Sequence, residues 1–489
     1  MYYYKMGKLK YLSKNIALFS ISNFVSKILV FLLVPFYTNV LSTYEYGVAD
    51  VIQVTLLLLV PMVTVNIGEA ALRFGVEEED NRFYIFKVGI KYVFRADICI
   101  ALLCSIIYAI LNFTQYLKKD ELQRYILFFI ILFMANALYE FLILYFQGCE
   151  AVEIIVIGSI VCTLITIGSN LIYLLVLKAG LNGYLISQIL AFSLSSLLML
   201  FIGRRFCISK DDDYNEEQIS SMEAKMTAYG KPMIVYSTAS WVNNAVDRYF
   251  VLYLCGAAVN GVYGVAYKIP AILMVFQRIF AQAWQLSATK SHKDENSSEF
   301  FSDMYKIYNS FMVIGCAALV LFVKVIASFM FRKDFYDAWR LVPPLLISVI
   351  FGALTGFIGS ICLAYKDSKS MGRATAIGAS VNVVLNLVLI PFFSAMGASI
   401  ATAISYFTMS ALALLFVSKH VDIKVSYIKN IISYILLVIE SIIMILELHY
   451  HLVISAVIFI AIVLIYYRDF YEILSVLINK VVNKKKQNI

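Results

Sequence analysis

Residues 45–50 read EYGVAD and residues 262–267 read VYGVAY, so the tetrapeptide Tyr-Gly-Val-Ala stands twice in one chain, 217 residues apart. Its surroundings extend the match. Backwards, SISN at 20–23 aligns with SWVN at 240–243, which sets Lys27 opposite Asp247 at an offset of 220. Forwards, YFQGCEAVEIIVIG at 145–158 aligns with YKDSKSMGRATAIG at 365–378, again at 220. Three weak matches, two at an offset of 220 and one at 217, read together as an internal repeat.

The repeated unit lies in a membrane. Hydrophobic residues make up 61% of the 489 and charged residues 15%, with mean hydropathy +0.82, against about 45–50% apolar and about 25% charged in soluble domains. Apolar stretches of about 20 residues, the length that crosses about 30 Å of hydrocarbon, recur fourteen times between residues 14 and 471. Continuous apolar runs of that length imply helices rather than barrel strands, because a helix satisfies its own backbone in lipid. The expected fold is an all-α polytopic membrane protein with fourteen transmembrane helices, arranged as two parallel six-helix repeats plus a C-terminal helix pair. Six is even, so both halves enter the membrane in the same direction, related by an axis along its normal. Each Tyr-Gly-Val-Ala then opens the second helix of its half. The expected boundaries are a first lobe at 1–206, a cytoplasmic linker at 207–229, a second lobe at 230–418, and the last helix pair with a basic tail at 419–489.

The 40 Lys and Arg concentrate on the face that carries the N-terminus, for example Lys5, Lys8, Lys10, Arg204, Arg205 and Lys484 to Lys486. By the positive-inside rule both termini are cytoplasmic. The net charge of +8 is therefore a topology signal, and nucleic acid is not an expected partner. The opening MYYYKMGKLKYLSKN is basic, but the apolar run behind it is too long for a signal-peptide core and has no small-x-small cleavage site. Eight cysteines lie mostly inside apolar runs without CxxC or Cys/His ligand spacing, so no metal site or disulfide is expected.

Charges inside spans cost about 2.5–3.5 kcal/mol each on insertion scales and mark sites that face a bundle interior or water. The first span carries Ser20, Asn23 and Lys27 on one helical face, and the seventh repeats that stripe as Ser240, Asn243 and Asp247, with Arg248 beside it. The eighth adds Lys268, Arg278, Gln282 and Gln285. Cations at several depths suit an anionic substrate, with Lys27, Arg248, Lys268, Arg278, Asn23 and Asn243 as candidate contacts. A structural role competes with this: Lys27 and Asp247 pairing across the pseudo-axis, or Asp247 neutralising Arg248. Asp247 and Glu140, the latter on one face with Asn136 and Gln147, are the candidates for coupling to a proton or sodium ion. Glu69 and Arg73, four residues apart, are expected to bridge each other. Pro35, Pro61, Pro270 and Pro391 are candidate kinks.

An enzyme is not expected. Asp211-Asp212-Asp213 superficially matches a metal-binding DxD, but it stands in the short acidic loop 210–232 with no domain around it. No GxxxxGK[ST] is present, and the external loops are too short for the catalytic groups of a membrane glycosyltransferase or polymerase. His449 and His451 read as surface residues of the last external turn.

The basic N-terminus, the stretch PFYTNVLSTYEYGVADVIQ at 35–53, the later VYGVAYKIPAILMVF at 262–276 and the six-plus-six-plus-two count resemble the polysaccharide, or O-antigen-type, flippases of the multidrug/oligosaccharidyl-lipid/polysaccharide (MOP) exporter superfamily. The likeness covers nearly the whole chain and rests on soft motifs, strongest at 35–47. It implies two six-helix lobes around a central cavity. It implies an undecaprenyl-diphosphate-linked oligosaccharide, moved by alternating access from the inner to the outer leaflet of the bacterial cytoplasmic membrane, with membrane lipids, a polysaccharide polymerase and glycosyltransferases as partners and no cofactor. In the related lipid II flippases a basic residue of the first helix, usually arginine, lines the cavity, and Lys27 matches it by location. The alternative is a drug/cation antiporter of the same superfamily, coupled through Asp247 or Glu140. The antiporters generally have twelve helices.

Overall fold

The computed structural model describes residues 33–113, 119–207, 216–292, 294 and 296–486. All regular structure among them is helical. The chain forms two compact units, Met1–Ala245 and Val246–Ile489.

In the first unit α1 (Val34–Val40) carries Pro35 in its first turn, where a missing N–H leaves no bond unmade. Pro35 therefore stands at the start of this helix. Ser42 and Glu45 close a capping box at the start of α2 (Thr43–Val63), each side chain accepting from the other residue's backbone N–H. Tyr-Gly-Val-Ala falls in the opening turns of this helix, as expected. Between α2 and α3 (Ile67–Glu77) the helix breaks three residues after Pro61, with Val65 at φ 58 and Asn66 at φ 50. A β-branched residue in that region is strained. Then follow α4 (Arg82–Phe113), α5 (Lys119–Gly148), α6 (Val152–Asn170), a π-helical stretch Leu171–Val176 and α7 (Gly180–Ile202).

The segment read as a polar loop at 210–232 is helical from Glu216. One 40-residue helix, α8 (Glu216–Cys255), continues through the seventh span and passes the boundary between the units at Ala245, so that boundary lies inside a helix and not in the 207–229 linker. Amphipathic spacing is the reason. Met222 and Met226 are buried in the core of the first unit, while Glu223 holds Lys91 at 2.6 Å, Tyr92 at 3.1 Å and Arg95 at 3.2 Å on α4. Lys225 pairs with Glu78 at 2.8 Å. Further along, α8 covers the α2–α3 break: Trp241 Nε1 donates to the Val54 carbonyl at 2.8 Å and Ser237 Oγ to Asn66 Oδ1 at 3.3 Å. Arg73 bridges Glu77 at 3.1 Å, not Glu69, and lies 4.7 Å from the Tyr229 ring of α8.

In the second unit Gly256, at φ 91, separates α8 from the short α9 (Ala257–Ala266), and α10 (Pro270–Ser291) leaves at a 50° bend. Here Tyr-Gly-Val-Ala closes a helix instead of opening one, because Pro270 lacks the N–H that would continue it. The unit continues with α11 (Ser297–Leu321), α12 (Val323–Met330), α13 (Val342–Ala364), α14 (Ser368–Phe393), α15 (Ala395–Val417), α16 (Tyr427–Ile445) and α17 (His451–Lys486). Its centre is α13, apolar on every side and therefore enclosed by neighbours. The span ending in α13 is 78% buried, against 22–50% for the others. Trp284 stacks on Phe357 of this helix at 4.2 Å and donates Nε1–H to its carbonyl at 2.9 Å.

One contact recurs in both units. A Cβ at Gly158 of α6 would meet Met199 of α7 at 2.5 Å, and a Cβ at Gly378 of α14 would meet Met409 of α15 at 2.0 Å. These glycines are the pair that the sequence alignment set opposite each other.

Among the described residues ten helices are long and apolar enough to cross a membrane, or eleven with the bent α9–α10 pair as one span. Fourteen were expected. The first expected span lies largely outside the described residues. The seventh is carried by α8, whose polar residues take it below the apolar threshold. The described apolar part of the last covers only His451–Tyr467.

Candidate functional site

The seventh-span stripe singled out in the sequence enters the second unit at Asp247, which is 4% exposed. A buried carboxylate needs donors or a counter-charge, and the bend after α9 supplies donors. Tyr263 and Tyr267, one turn apart, both aim their hydroxyls at Oδ2, Tyr267 from 2.9 Å, and their own oxygens lie 3.0 Å apart. Thr402 Oγ1 of α15 stands 3.4 Å from the same oxygen. Oδ1 accepts from the backbone N–H of Arg248 at 2.9 Å, while the Arg248 guanidinium lies 4.6 Å from the Tyr267 ring centroid. From Thr402 the polar chain continues into α14: Asn382 Nδ2 reaches Thr402 Oγ1 at 3.5 Å and Asn386 Nδ2 donates to Asn382 Oδ1 at 2.9 Å. Asn386 is fully buried, and its Oδ1 meets no donor among the described residues.

The cluster therefore gathers one carboxylate, three hydroxyls and two carboxamides from α8, the α9–α10 bend, α14 and α15. Oxygen-only donors with a single negative charge match a hard cation of low charge or a proton. Broken helices whose polar groups converge are also where transporters place coupling ions. Among the described residues no group of three or more His, Cys, Asp and Glu has metal-site geometry.

Of the other sequence candidates, Lys27 and Asn23 lie outside the described residues, as does the side chain of Asn243 on α8. Arg248 adjoins the cluster by its backbone and ring contact. Lys268 stands in the bend next to Tyr267, half-buried, and Arg278 is exposed on α10. Glu140 is exposed on α5, in the first unit. Sequence reasoning found Asp247 but missed Tyr263, Tyr267, Thr402, Asn382 and Asn386. The signals were there: the tyrosines stand at i and i+4 within VYGVAY itself, and the asparagines at i and i+4 within an apolar span.

Residues 12–285 match the family described as polysaccharide biosynthesis protein. The chain belongs to that family. It is 25% identical over 202 residues, 41% of its own length, to the protein named "Probable low-salt glycan biosynthesis flippase Agl15" of Haloferax volcanii, and spans 43% of that relative. Two solved structures share the fold. The lipid II flippase MurJ, in an inward closed conformation, aligns with TM-score 0.65 and 16% identity over 94% of this chain and 99% of its own. An inward-facing multidrug resistance MATE transporter of the MOP superfamily aligns with TM-score 0.63 and 12% identity over 80% of this chain and 94% of its own. The protein is thus a multi-pass membrane protein with the fold that these two structures share.

Proposed function

We propose that this protein is a flippase that carries an undecaprenyl-diphosphate-linked oligosaccharide from the inner to the outer leaflet of the cytoplasmic membrane by alternating access, for cell-surface polysaccharide. The observation that carries the reading is membership of the polysaccharide biosynthesis family over more than half of the chain. Two further features support it. The likeness to the lipid II flippase reaches 94% of the chain, against 80% for the MATE transporter. Lys27, Arg248, Lys268 and Arg278 would supply cationic contacts for a diphosphate, and Asn23 and Asn243 contacts for sugar hydroxyls. Two six-helix lobes would alternate, both termini would be cytoplasmic, and a polymerase and glycosyltransferases would work on the same glycan.

In this reading Asp247, with Tyr263, Tyr267, Thr402, Asn382 and Asn386, binds a proton or sodium ion, and occupancy biases the bend between α9 and α10. The cluster also favours a second reading, a drug/cation antiporter that uses the same carboxylate for coupling.

The test is surface glycan in a strain lacking the native gene, with membrane levels of each variant measured. Lys27→Ala should abolish export and Lys27→Arg retain part of it, since both supply positive charge with different geometry. Rescue of Lys27→Ala by a second change, Asp247→Ala, would reassign Lys27 to structural pairing. Full glycan export by Lys27→Ala at normal protein level would remove the phosphate role. Drug resistance without any glycan phenotype would favour the antiporter.

A further inference from the structure

Helix α16 is turned inside out relative to a soluble helix. Its lipid side carries Ile428, Ile431, Ile432, Ile435, Val438 and Ile442, all exposed, while its buried stripe reads Asn430, Ser433, Leu437, Glu440, Ser441 and Met444. Most of these polar groups are satisfied. Asn430 bonds Asn309 of α11 at 3.0 Å and Tyr466 of α17 at 3.1 Å, and Ser433 and Ser441 donate to carbonyls of their own helix.

Glu440 is different. It is 0% exposed, its Oε1 accepts from Ser455 Oγ of α17 at 2.7 Å, and its Oε2 is buried with no hydrogen-bond partner among the described residues. The titratable group that faces it from α11 is the fully buried thiol of Cys316. From α13 nothing charged approaches, because the sole ionisable side chain of that helix is Cys362 near its far end. From α17 the next ionisable residue is His451, one turn before Ser455, which is held by Lys324 at 3.4 Å and the Leu448 carbonyl at 3.2 Å. The Lys324–Glu447–Arg340 group lies beyond the end of α16. Among the described residues no cation therefore reaches Glu440, and one hydroxyl cannot offset the burial of a full charge in hydrocarbon.

We propose that Glu440 is a proton-binding site, occupied in the assembled protein, and that loss of its proton loosens the α16–α17 pair from α11. Alkali that removes this proton leaves a bare charge among packed apolar helices, so stability falls as pH rises. Ser455, by donating to Oε1, offsets part of the cost of that charge.

The test uses the full-length protein in lipid nanodiscs. The infrared difference between wild type and Glu440→Gln at neutral pH should contain a protonated-carboxyl C=O stretch, which gives way to a carboxylate band on alkalinisation. Over the same pH range the thermal midpoint of the wild type should fall while that of Glu440→Gln stays level. Ser455→Ala should move the wild-type transition to higher pH by about one unit. A difference spectrum without the protonated stretch, or parallel alkaline loss of stability in wild type and Glu440→Gln, overturns the proposal. If Glu440→Gln does not fold, Ser455→Ala decides alone: an upward move supports the site, and a downward move or none overturns it.

Discussion

An atom added at the Cβ position of Gly180 would lie 2.2 Å from Oε1 of Glu45. The same carboxylate accepts from the Ser42 N–H at 2.9 Å and the Leu181 N–H at 3.1 Å, so one side chain caps α2 and ties the start of α7 to it. Gly180 also sits at φ +53, where a side chain is strained. Gly180→Ala should therefore destabilise the protein by about 1–3 kcal/mol. Its thermal midpoint in detergent should fall, and Glu45→Gln should reproduce part of that loss without the backbone strain.

Asp247 provides the only formal charge among the oxygens that meet at the α9–α10 bend. Sodium at about a hundred times its dissociation constant should stabilise the wild type by about 2.7 kcal/mol. Asp247→Asn should abolish that gain and Tyr267→Phe should weaken it, as read from thermal midpoints across a sodium series against potassium. A sodium response that survives in Asp247→Asn would leave the proton as the remaining occupant.

Glu223 is subject to opposing influences: burial raises its pKa, but hydrogen bonds from Lys91 and Tyr92 and the charges of Lys91 and Arg95 outweigh it, and the net direction is down. Its contribution to holding α8 on α4 is thus complete above the ordinary carboxylate range and is lost only as pH falls through the lowered folded value. Lys91 and Arg95 are substantially exposed, so each pair contributes about 0.2–1 kcal/mol. Wild type should lose this increment on acidification and in high salt, while Glu223→Gln should already lack it at neutral pH. Thermal scans at several pH values check both.

A Cβ at Gly230 would stand 2.1 Å from the Val65 carbonyl, at the strained break between α2 and α3. The obstacle is backbone and cannot swing aside. Gly230→Ala should push α8 off the break and cost about 1–3 kcal/mol, and cross-linking between cysteines introduced at Ser237 and Asn66 should report the displacement.

Composition alone made the protein a helical membrane protein, because no soluble core needs this much apolar surface. Short matches read as a repeat, and Gly158 and Gly378, aligned on paper, each stand against a methionine of the following helix. What stayed hidden was partner choice. Arg73 has carboxylates at both i−4 and i+4, and spacing cannot select Glu77 over Glu69. Ile219, Met222, Met226 and Tyr229 already write an amphipathic stripe, but it sits behind KDDDYNEE, and that charge run reads as a loop. Asp247 stood out as a charge inside an apolar span. Its partners Thr402 and Asn382 lie 155 and 135 positions further along the chain, and only tertiary contact brings those helices to it.

The inward polar face of α16 bears on how the chain is made. The α16–α17 hairpin leaves the ribosome after α11, carrying Asn430 and, on α17, Tyr466 into lipid. Their partners on α11, notably Asn309 at 3.0 Å from Asn430 and 3.2 Å from Tyr466, are by then already in the bilayer. Helices that insert first and associate afterwards would leave both polar faces open to hydrocarbon until they meet. Synthesis stopped before residue 419 would strand Asn309, whose side-chain partners Asn430, Tyr434 and Tyr466 all lie beyond that point, on a surface that quality-control proteases recognise. The hairpin thus covers the polar face of α11 during biogenesis, and a chain truncated before it should be degraded instead of persisting in the membrane.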